Sequence, residues 1–340
     1  VIGEPRDAGR GRFSPLGGAG WVLTLALVVF GVVGFVQIRE LLSSQRRSRV
    51  GDGRNVASYG FDLSTCVVDR SVLVASGMPK DTLEPLEMPR LMTPAAVDSL
   101  NRAERGKYLV DGDLVIGVVV GDCARAYPLR VLSWHEVAND TLGGRPIAVT
   151  WHPLCGSAVV FDRSVAGATL RFGQSGLLWN SNLLIYDDRA EPTAESLWSQ
   201  LQARAVAGPA AARGDSLAVL PHVLAHWDRW RDSFPETTVP FPEQNRRRSY
   251  QRDPYAHYEG SDLLRFPVEP LPPGDERPYK TPIVAIRGGD GWQVSVVGDN
   301  ARRWSGSLTE PTVHAYWFAW FATRGGERAG DPLADSAALR

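Results

Sequence analysis

The sequence predicts a mainly β fold, an antiparallel sheet, sandwich or barrel-like arrangement with a few peripheral helices, preceded by one N-terminal transmembrane helix. Three observations predict it. Short apolar runs recur between residues 108 and 188, punctuated by turn residues. Tryptophan occurs eleven times, and its large ring with one N–H donor suits a β-rich core with wet edges. Near the start, Trp21 to Ile38 form an apolar run of 18 residues without a charge.

That run comes first in the chain. As a helix at 1.5 Å per residue it reaches roughly 27 Å, close to the hydrocarbon thickness of a bilayer. A cleaved signal peptide has a shorter apolar stretch and a small-residue cleavage site, which IRELLSSQRR does not offer. The expectation is an uncleaved anchor at 21–38 that makes the lipid bilayer a partner. Arginines on both sides blunt the positive-inside rule, so charge alone leaves the orientation open. Residues 1–20, rich in Gly and Arg, are expected to be disordered, and 39–56 to be a juxtamembrane linker. A single globular domain is expected over 57–323, with a flexible tail over 324–340.

Within the domain, Thr93 and Pro94 stand at N-cap and first-turn positions of a helix over 93–103. Three hairpins follow. LVIGVVV (114–120) and ARAYPLRVL (124–132) flank the Gly121-Asp122 turn, and IAVTW (147–151) and SAVVFDR (157–163) flank HPLCG. TLRFG (169–173) and NLLIYD (182–187) lie around SGLLWNS. Between the first two hairpins, LSWHEVAND (132–140) reads as a short helix ending near Asn139. VLAHWDRWRDSF (223–234) carries a stripe of Leu224, Trp227, Trp230 and Phe234 at helical spacing, stopped by Pro235. Six prolines make 265–282 loop or extended chain, GWQVSVV (291–297) is a strand, and HAYWFAWF (314–321) is apolar and buried.

Composition excludes several function classes. A formal net charge of −1 provides no field for nucleic acid, and no nucleic-acid partner is expected. Three cysteines, Cys66, Cys123 and Cys155, exclude a disulfide framework and permit at most one bridge; whether Cys66 and Cys123 pair stays open.

Seven segments stand out in order: SGMPKDTLEPLEMPRLM (76–92), ARAYPLRVLSWHEVAND (124–140), VTWHPLCGSAVVFDR (149–163), FGQSGLLWNSNLLIYD (172–187), ESLWSQL (195–201), RSYQRDPYAHY (248–258) and YWFAW (316–320). In this order they resemble bacterial proteins grouped as domain-of-unknown-function family 3179. The resemblance implies no established activity. It does imply an exported or membrane-anchored setting, which places the globular domain on the extracytoplasmic side of a single-pass membrane protein. Where such proteins carry Cys-Pro-Leu-Cys-Gly, this chain has His152-Pro153-Leu154-Cys155-Gly156. A dithiol exchange pair needs both sulfurs, so His152 removes it, whereas a Zn²⁺ or copper site can exchange thiolate for imidazole.

Two readings of this turn stay open. In the first, His135, His152 and Cys155 are metal ligands for Zn or Cu, with Glu136 orienting a ligand from behind, in a redox-associated domain. In the second, the same residues only build the core of a non-catalytic binding or scaffolding module, with the main pocket elsewhere. A Cys155 nucleophile with His135 as base is a third possibility. His222 and His226 share a face of the expected helix, but no Glu stands between them as in a zincin, and they read as solvent-facing. The G-x-S-x-G pattern of hydrolases fails at Leu177 after Gly173-Gln174-Ser175-Gly176. Arg246 to Arg248 read as a solvated basic face, and Tyr250, Asp253, Tyr255 and Tyr258 as pocket lining or as staples for a loop.

Overall fold

The computed structural model describes residues 50–103, 107–243, 246–273, 277–298 and 303–324, with Leu25, Leu27, Val28 and Gly31. Most of the expected span, residues 1–20, most of the linker and the tail beyond 324 lie outside the described residues. The four described positions of the span are helical. Among the described residues no helix is long and apolar enough to cross a membrane.

Strands β1 (Leu73–Ala75), β2 (Leu86–Glu87) and β3 (Leu91–Met92) precede helix α1 (Pro94–Ala103). The hairpin β4 (Leu114–Val120) and β5 (Cys123–Pro128) runs into the single turn α2 (Leu129–Leu132). Next come β6 (Val137–Leu142), β7 (Arg145–His152) and β8 (Ser157–Asp162), then the short pair β9 (Ser164–Val165) and β10 (Ala168–Thr169). A second series follows: β11 (Phe172–Trp179), β12 (Asn182–Asp187), β13 (Leu197–Ser199), β14 (Arg204–Ala207) and α3 (Pro209–Arg213). The chain then forms β15 (Pro221–His226), α4 (Trp227–Ser233), β16 (Val239–Pro240) and α5 (Ala256–Glu259). It closes with β17 (Pro282–Gly288), β18 (Gly291–Val296), β19 (Trp304–Tyr316) and α6 (Trp317–Arg324).

The mainly β expectation holds. The larger sheet runs β2–β6–β7–β8–β19–β15–β4–β5, with β17 on β19 and β18 on β17; the smaller runs β1–β11–β12–β13–β14. Its ladders are antiparallel apart from β2 on β6. Although β5 and β6 stand near opposite ends of that order, Arg125 of β5 reaches Asp140 of β6 at 2.6 Å. The sheet therefore curls until its ends meet through side chains, as a barrel does through a ladder. Asn139 ties the curl to the smaller sheet, donating to Phe172 O at 2.7 Å and accepting from Phe172 N at 3.0 Å.

Burial on both faces explains the strand sequences. β7, β8 and β12 are almost wholly enclosed, so their centres (IAVTW, AVVF and LLIY) read as apolar runs without alternation, while the equally enclosed β11 buries Gln174 and Ser175 as well. Trp230 lies flat over β4, where a Cβ on Gly117 would sit 2.2 Å from its ring. Only glycine permits that approach. The Trp230 indole donates to Thr237 Oγ1 at 2.8 Å, yet the buried indole nitrogens of Trp198, Trp317 and Trp320 have no hydrogen-bond partner among the described residues.

Helix α1 forms where Thr93 and Pro94 place it, with Thr93 Oγ1 accepting from Ala96 N at 3.3 Å. The first two hairpins also form, the first ending at Pro128 where α2 begins. Three expectations are corrected. Residues 137–140, the second half of the helix expected over 132–140, belong to strand β6, because Glu136 adopts a left-handed φ of 58° that ends the preceding turn and redirects the chain. SGLLW is not a loop but the second half of β11, and the hairpin turn is Asn180-Ser181. The helix expected over 223–234 starts only at Trp227; residues 221–226 are strand β15, held between β4 and β19. There the alternation of Val223 and Ala225 is a strand pattern, and tertiary pairing overrides the helical stripe.

Candidate functional site: a polar cleft backed by the HPLC turn

The turn after α2 sorts the two adjacent candidates, His135 and Glu136, to different partners. Leu132 O accepts from both His135 N (3.1 Å) and Glu136 N (2.7 Å), and the left-handed Glu136 then starts β6. His135 Nδ1 lies 2.6 Å from Glu84 O and its Nε2 lies 2.7 Å from the Tyr250 hydroxyl. Burial pushes its pKa down to about 4. Glu136 Oε1 instead meets His152 Nδ1 at 3.0 Å.

His152 ends β7, opposite Ser157 of β8, and Pro153–Cys155 form a 3-10 turn between them. Gly156 closes the turn at φ 52°, where a side chain would strike the Tyr316 ring. The His152 Nε2 and the Cys155 thiol both point at one oxygen, Ser181 O, at 3.1 and 3.2 Å. That carbonyl is presented by two successive left-handed residues, Asn180 at φ 51° and Ser181 at φ 63°. Two positive φ angles form the tight hairpin turn that matches strand twist. Burial pushes the Cys155 thiol up, so it remains protonated and acts as a hydrogen-bond donor. Below this turn the amide of Gln200 bonds Thr150 and Ser157, and Asn182 bonds Ser157 and Gln200.

His152 and Cys155 thus come together, and His135 does not join them. Both ring nitrogens of His135 are engaged elsewhere, by Glu84 and Tyr250. Among the described residues no three His, Cys, Asp or Glu side chains are grouped to hold a metal ion. The expected Zn or Cu ligand set of His135, His152 and Cys155, with Glu136 behind it, is therefore not assembled. Glu136 is a direct partner of His152. Nor is His135 placed as the base for Cys155. All three cysteines are free, so Cys66 and Cys123 do not pair.

The network is enclosed but backs onto open space. Trp151 and Gly156, on either side of His152–Cys155, line a cleft of about 540 Å³. Its rim carries Asp113 with Arg130 (2.5 Å apart), Asp253, Glu259 and Lys280. Leu114, Leu129, Leu224, Ile283 and Val297 supply apolar walls, and Ser305, His314 and Tyr316 of β19 complete it. A second hollow of about 520 Å³ lies at Asp98, Asn101 and Arg231, whose side chains are already paired within the fold.

One wall of the cleft is a strap, residues 250–262, pinned at intervals to the network. Its Arg252 O accepts from the Trp134 indole at 3.2 Å, and the Tyr258 hydroxyl donates to Leu154 O at 2.9 Å. Lys280 Nζ donates to Tyr258 O and Ser261 O, each at 2.6 Å, and sits 3.3 Å from the Tyr258 ring centroid. Of the four residues left open between pocket lining and staples, Tyr250 and Tyr258 act as staples, through His135 and Leu154, and Asp253 lines the cleft. Burial raises Glu259, helped by Asp253, and lowers Lys280, as expected of charges facing a partly desolvated cleft.

Sequence reasoning missed two histidines here, His314 in the cleft lining and His222 in contact with it. His222, expected in solvent, is fully buried on β15, and His314 was hidden inside an apolar run. The strand alternation around Val223 was the signal available. A family model described as "Protein of unknown function (DUF3179)" matches residues 87–302. No curated protein and no solved structure matches the chain.

Proposed function

Since the chain belongs to the DUF3179 family, whose description names no reaction, we propose from its geometry that it is a ligand-binding domain. The carrying observation is a division of labour around one turn. His152 and Cys155 are buried and satisfied by Glu136 and Ser181, whereas the residues beside them, Trp151 and Gly156, face a cleft. The HPLC network is then the back wall, and the strap with Lys280 supplies another. A volume of about 540 Å³ falls in the usual range for small-molecule sites. Carboxylates and cations on the rim with leucine, isoleucine and tryptophan inside suit a ligand with an apolar body and polar substituents.

Leu224 is half-buried and lines the cleft, so Leu224→Trp fills it without touching the network. In a thermal-shift screen of amphipathic small molecules, the wild type should gain several degrees from its ligands and the variant should gain none. Equal shifts in both proteins would place binding elsewhere.

The uncharged run 21–38 supports tethering of this domain to a bilayer, and the family resemblance supports its extracytoplasmic side. The full chain should stay with membranes through an alkaline carbonate wash and be released only by detergent. It should also be digested by protease added outside sealed cells. Release by carbonate alone would contradict the tether.

A further inference from the structure

Against the smaller sheet lies a buried charged pair that takes no part in lining the cleft. Lys80 Nζ is 2.5 Å from Glu195 Oε2, and the two residues are 7 % and 6 % exposed. The amine stands over the face of Tyr186, 3.8 Å from the ring centroid, with the centroid of Phe61 at 5.3 Å. A Cβ on Gly173 would sit 2.5 Å from the Tyr186 ring, so glycine there leaves the ring its place beneath the amine.

Both partners are fixed through the backbone. Lys80 lies in the connection from β1 to β2, where Lys80 N donates to Val50 O at 2.8 Å and Asp81 N donates to Gln174 O of β11 at 2.9 Å. Glu195 closes the 3-10 turn Pro192–Ala194 ahead of β13. There Glu195 N donates to Pro192 O at 3.2 Å, and Ser196 N donates to Asp187 Oδ1 at 2.6 Å. The Tyr186 hydroxyl donates to Asp81, which holds the ring as well.

The hydrogen-bond count suits an amide better than an ion pair. An ammonium has three donors, yet among the described residues Lys80 Nζ has one acceptor, Glu195 Oε2. The Glu195 carboxylate likewise accepts from that one donor. Two ions taken out of water are well compensated only when their remaining donors and acceptors are also met. An amide asks for one N–H and one carbonyl partner and carries no charge. Burial raises the Glu195 carboxyl, against the pull of Lys80, so the pocket favours the neutral acid. Proton transfer from Nζ then leaves an amine beside a carboxylic acid, with nitrogen and carboxyl carbon at about the 3–3.5 Å of a near-attack pair.

We propose that Lys80 and Glu195 are joined by an intramolecular amide bond. Lys80 Nζ attacks Glu195 Cδ, and the new N–C bond gives a tetrahedral adduct. The nitrogen passes a proton to the departing hydroxyl, the C–O bond breaks, and one water leaves. The atoms balance without an oxidant, reductant or co-reactant. A neutral amide then lies against the two aromatic rings. Residues 115 apart in sequence are closed into a covalent loop that ties the β1–β2 connection to the start of β13. The bond is independent of the cleft and of any ligand there.

Tryptic mapping of the full chain in detergent reads the bond directly. An amide on Nζ blocks cleavage after Lys80, so residues 71–90 and 190–204 should emerge as one branched peptide, lighter by one water than their sum. Lys80→Arg, which keeps the cation, and Glu195→Ala should each show the full mass of their sequences and no branched peptide. Chain recovered unfolded in urea should lack the bond and gain it on refolding, as the intact mass falls by one water. A folded wild type at its full sequence mass, cut by trypsin after Lys80, would overturn the proposal and leave an ion pair. Loss of a water with Lys80 still cleaved would place the dehydration elsewhere, in a succinimide for instance, and overturn it too. The wild type alone decides, so the result stands even where a variant fails to fold.

Discussion

Replacing Asp140 with alanine should destabilise the domain by about 3–5 kcal/mol, the range for leaving one member of a buried ion pair uncompensated. Asp140 Oδ2 accepts from Arg125 at 2.6 Å and from the Tyr127 hydroxyl at 2.7 Å. Arg125 and Tyr127 are two apart on β5 and so project to the same face, while Asp140 stands on β6. Without the carboxylate the guanidinium keeps only Thr141 O at 3.2 Å and Thr238 Oγ1 at 3.1 Å, and the Tyr127 hydroxyl keeps none. This clasp joins the two ends of the curled sheet, so its loss should open the seam as well as weaken the fold. Urea denaturation gives the magnitude, and amide exchange should show β5 and β6 losing protection first. Paired replacement, Arg125→Met with Asp140→Leu, should recover much of the loss because no charge is then stranded. A change below about 1 kcal/mol for Asp140→Ala would show that the seam is held by packing alone.

Mild acid should destabilise the domain through its buried histidines. Burial pushes His135 and His222 to about 4 and His314 well below the ordinary value of 6.5. Above pH 6.5 these rings are neutral in both folded and unfolded chains, and their effect on stability is constant. Between about 6.5 and 4 the unfolded chain takes up protons that the folded one refuses. Each ring then removes about 1.4 kcal/mol per pH unit, with the loss levelling off once the folded ring also protonates. Glu259 acts in the opposite sense, because burial raises its folded value and the folded chain gains protons first. The net fall from pH 7 to pH 5 should still be on the order of 2–4 kcal/mol by this linkage. Urea midpoints at the two pH values measure it, and His222→Gln should flatten the slope. A midpoint independent of pH in this window would mean that water reaches the rings.

Much of this fold is legible from residue to residue, and the losses have definable causes. The Gly121-Asp122 hairpin, the HPLC hairpin and the Thr93–Pro94 helix start each rest on local rules, and each forms. Residues 137–140 and 223–226 fail as helix because strands enclosed on both sides carry apolar residues at helical spacing too, and the short alternation at Val223 and Ala225 is outweighed by the tryptophan stripe that follows it. One left-handed residue, Glu136, decides the first case, and strands β4 and β19, distant in sequence on either side, decide the second. The HPLC turn was found by its chemistry, and its contacts with Glu136 follow from a bend that no period reveals. His135 joins it in the sequence reading through the family resemblance of its segment, and the same bend separates them. The cleft residues Lys280, Ser305 and His314 come from segments brought together only by the sheet order, so no spacing in the sequence announces them. The expected anchor remains a statement about 18 uncharged residues.

Whether the cleft is a ligand site is tested most directly by soaking small esters, amides and carboxylic acids into crystals of residues 50–340. The expected result is bound fragments clustering between Trp151, Lys280 and His314, with the His152–Cys155 turn unmoved behind them. Fragments found only in the hollow at Asp98 and Arg231, or none at all from a broad set, would contradict it.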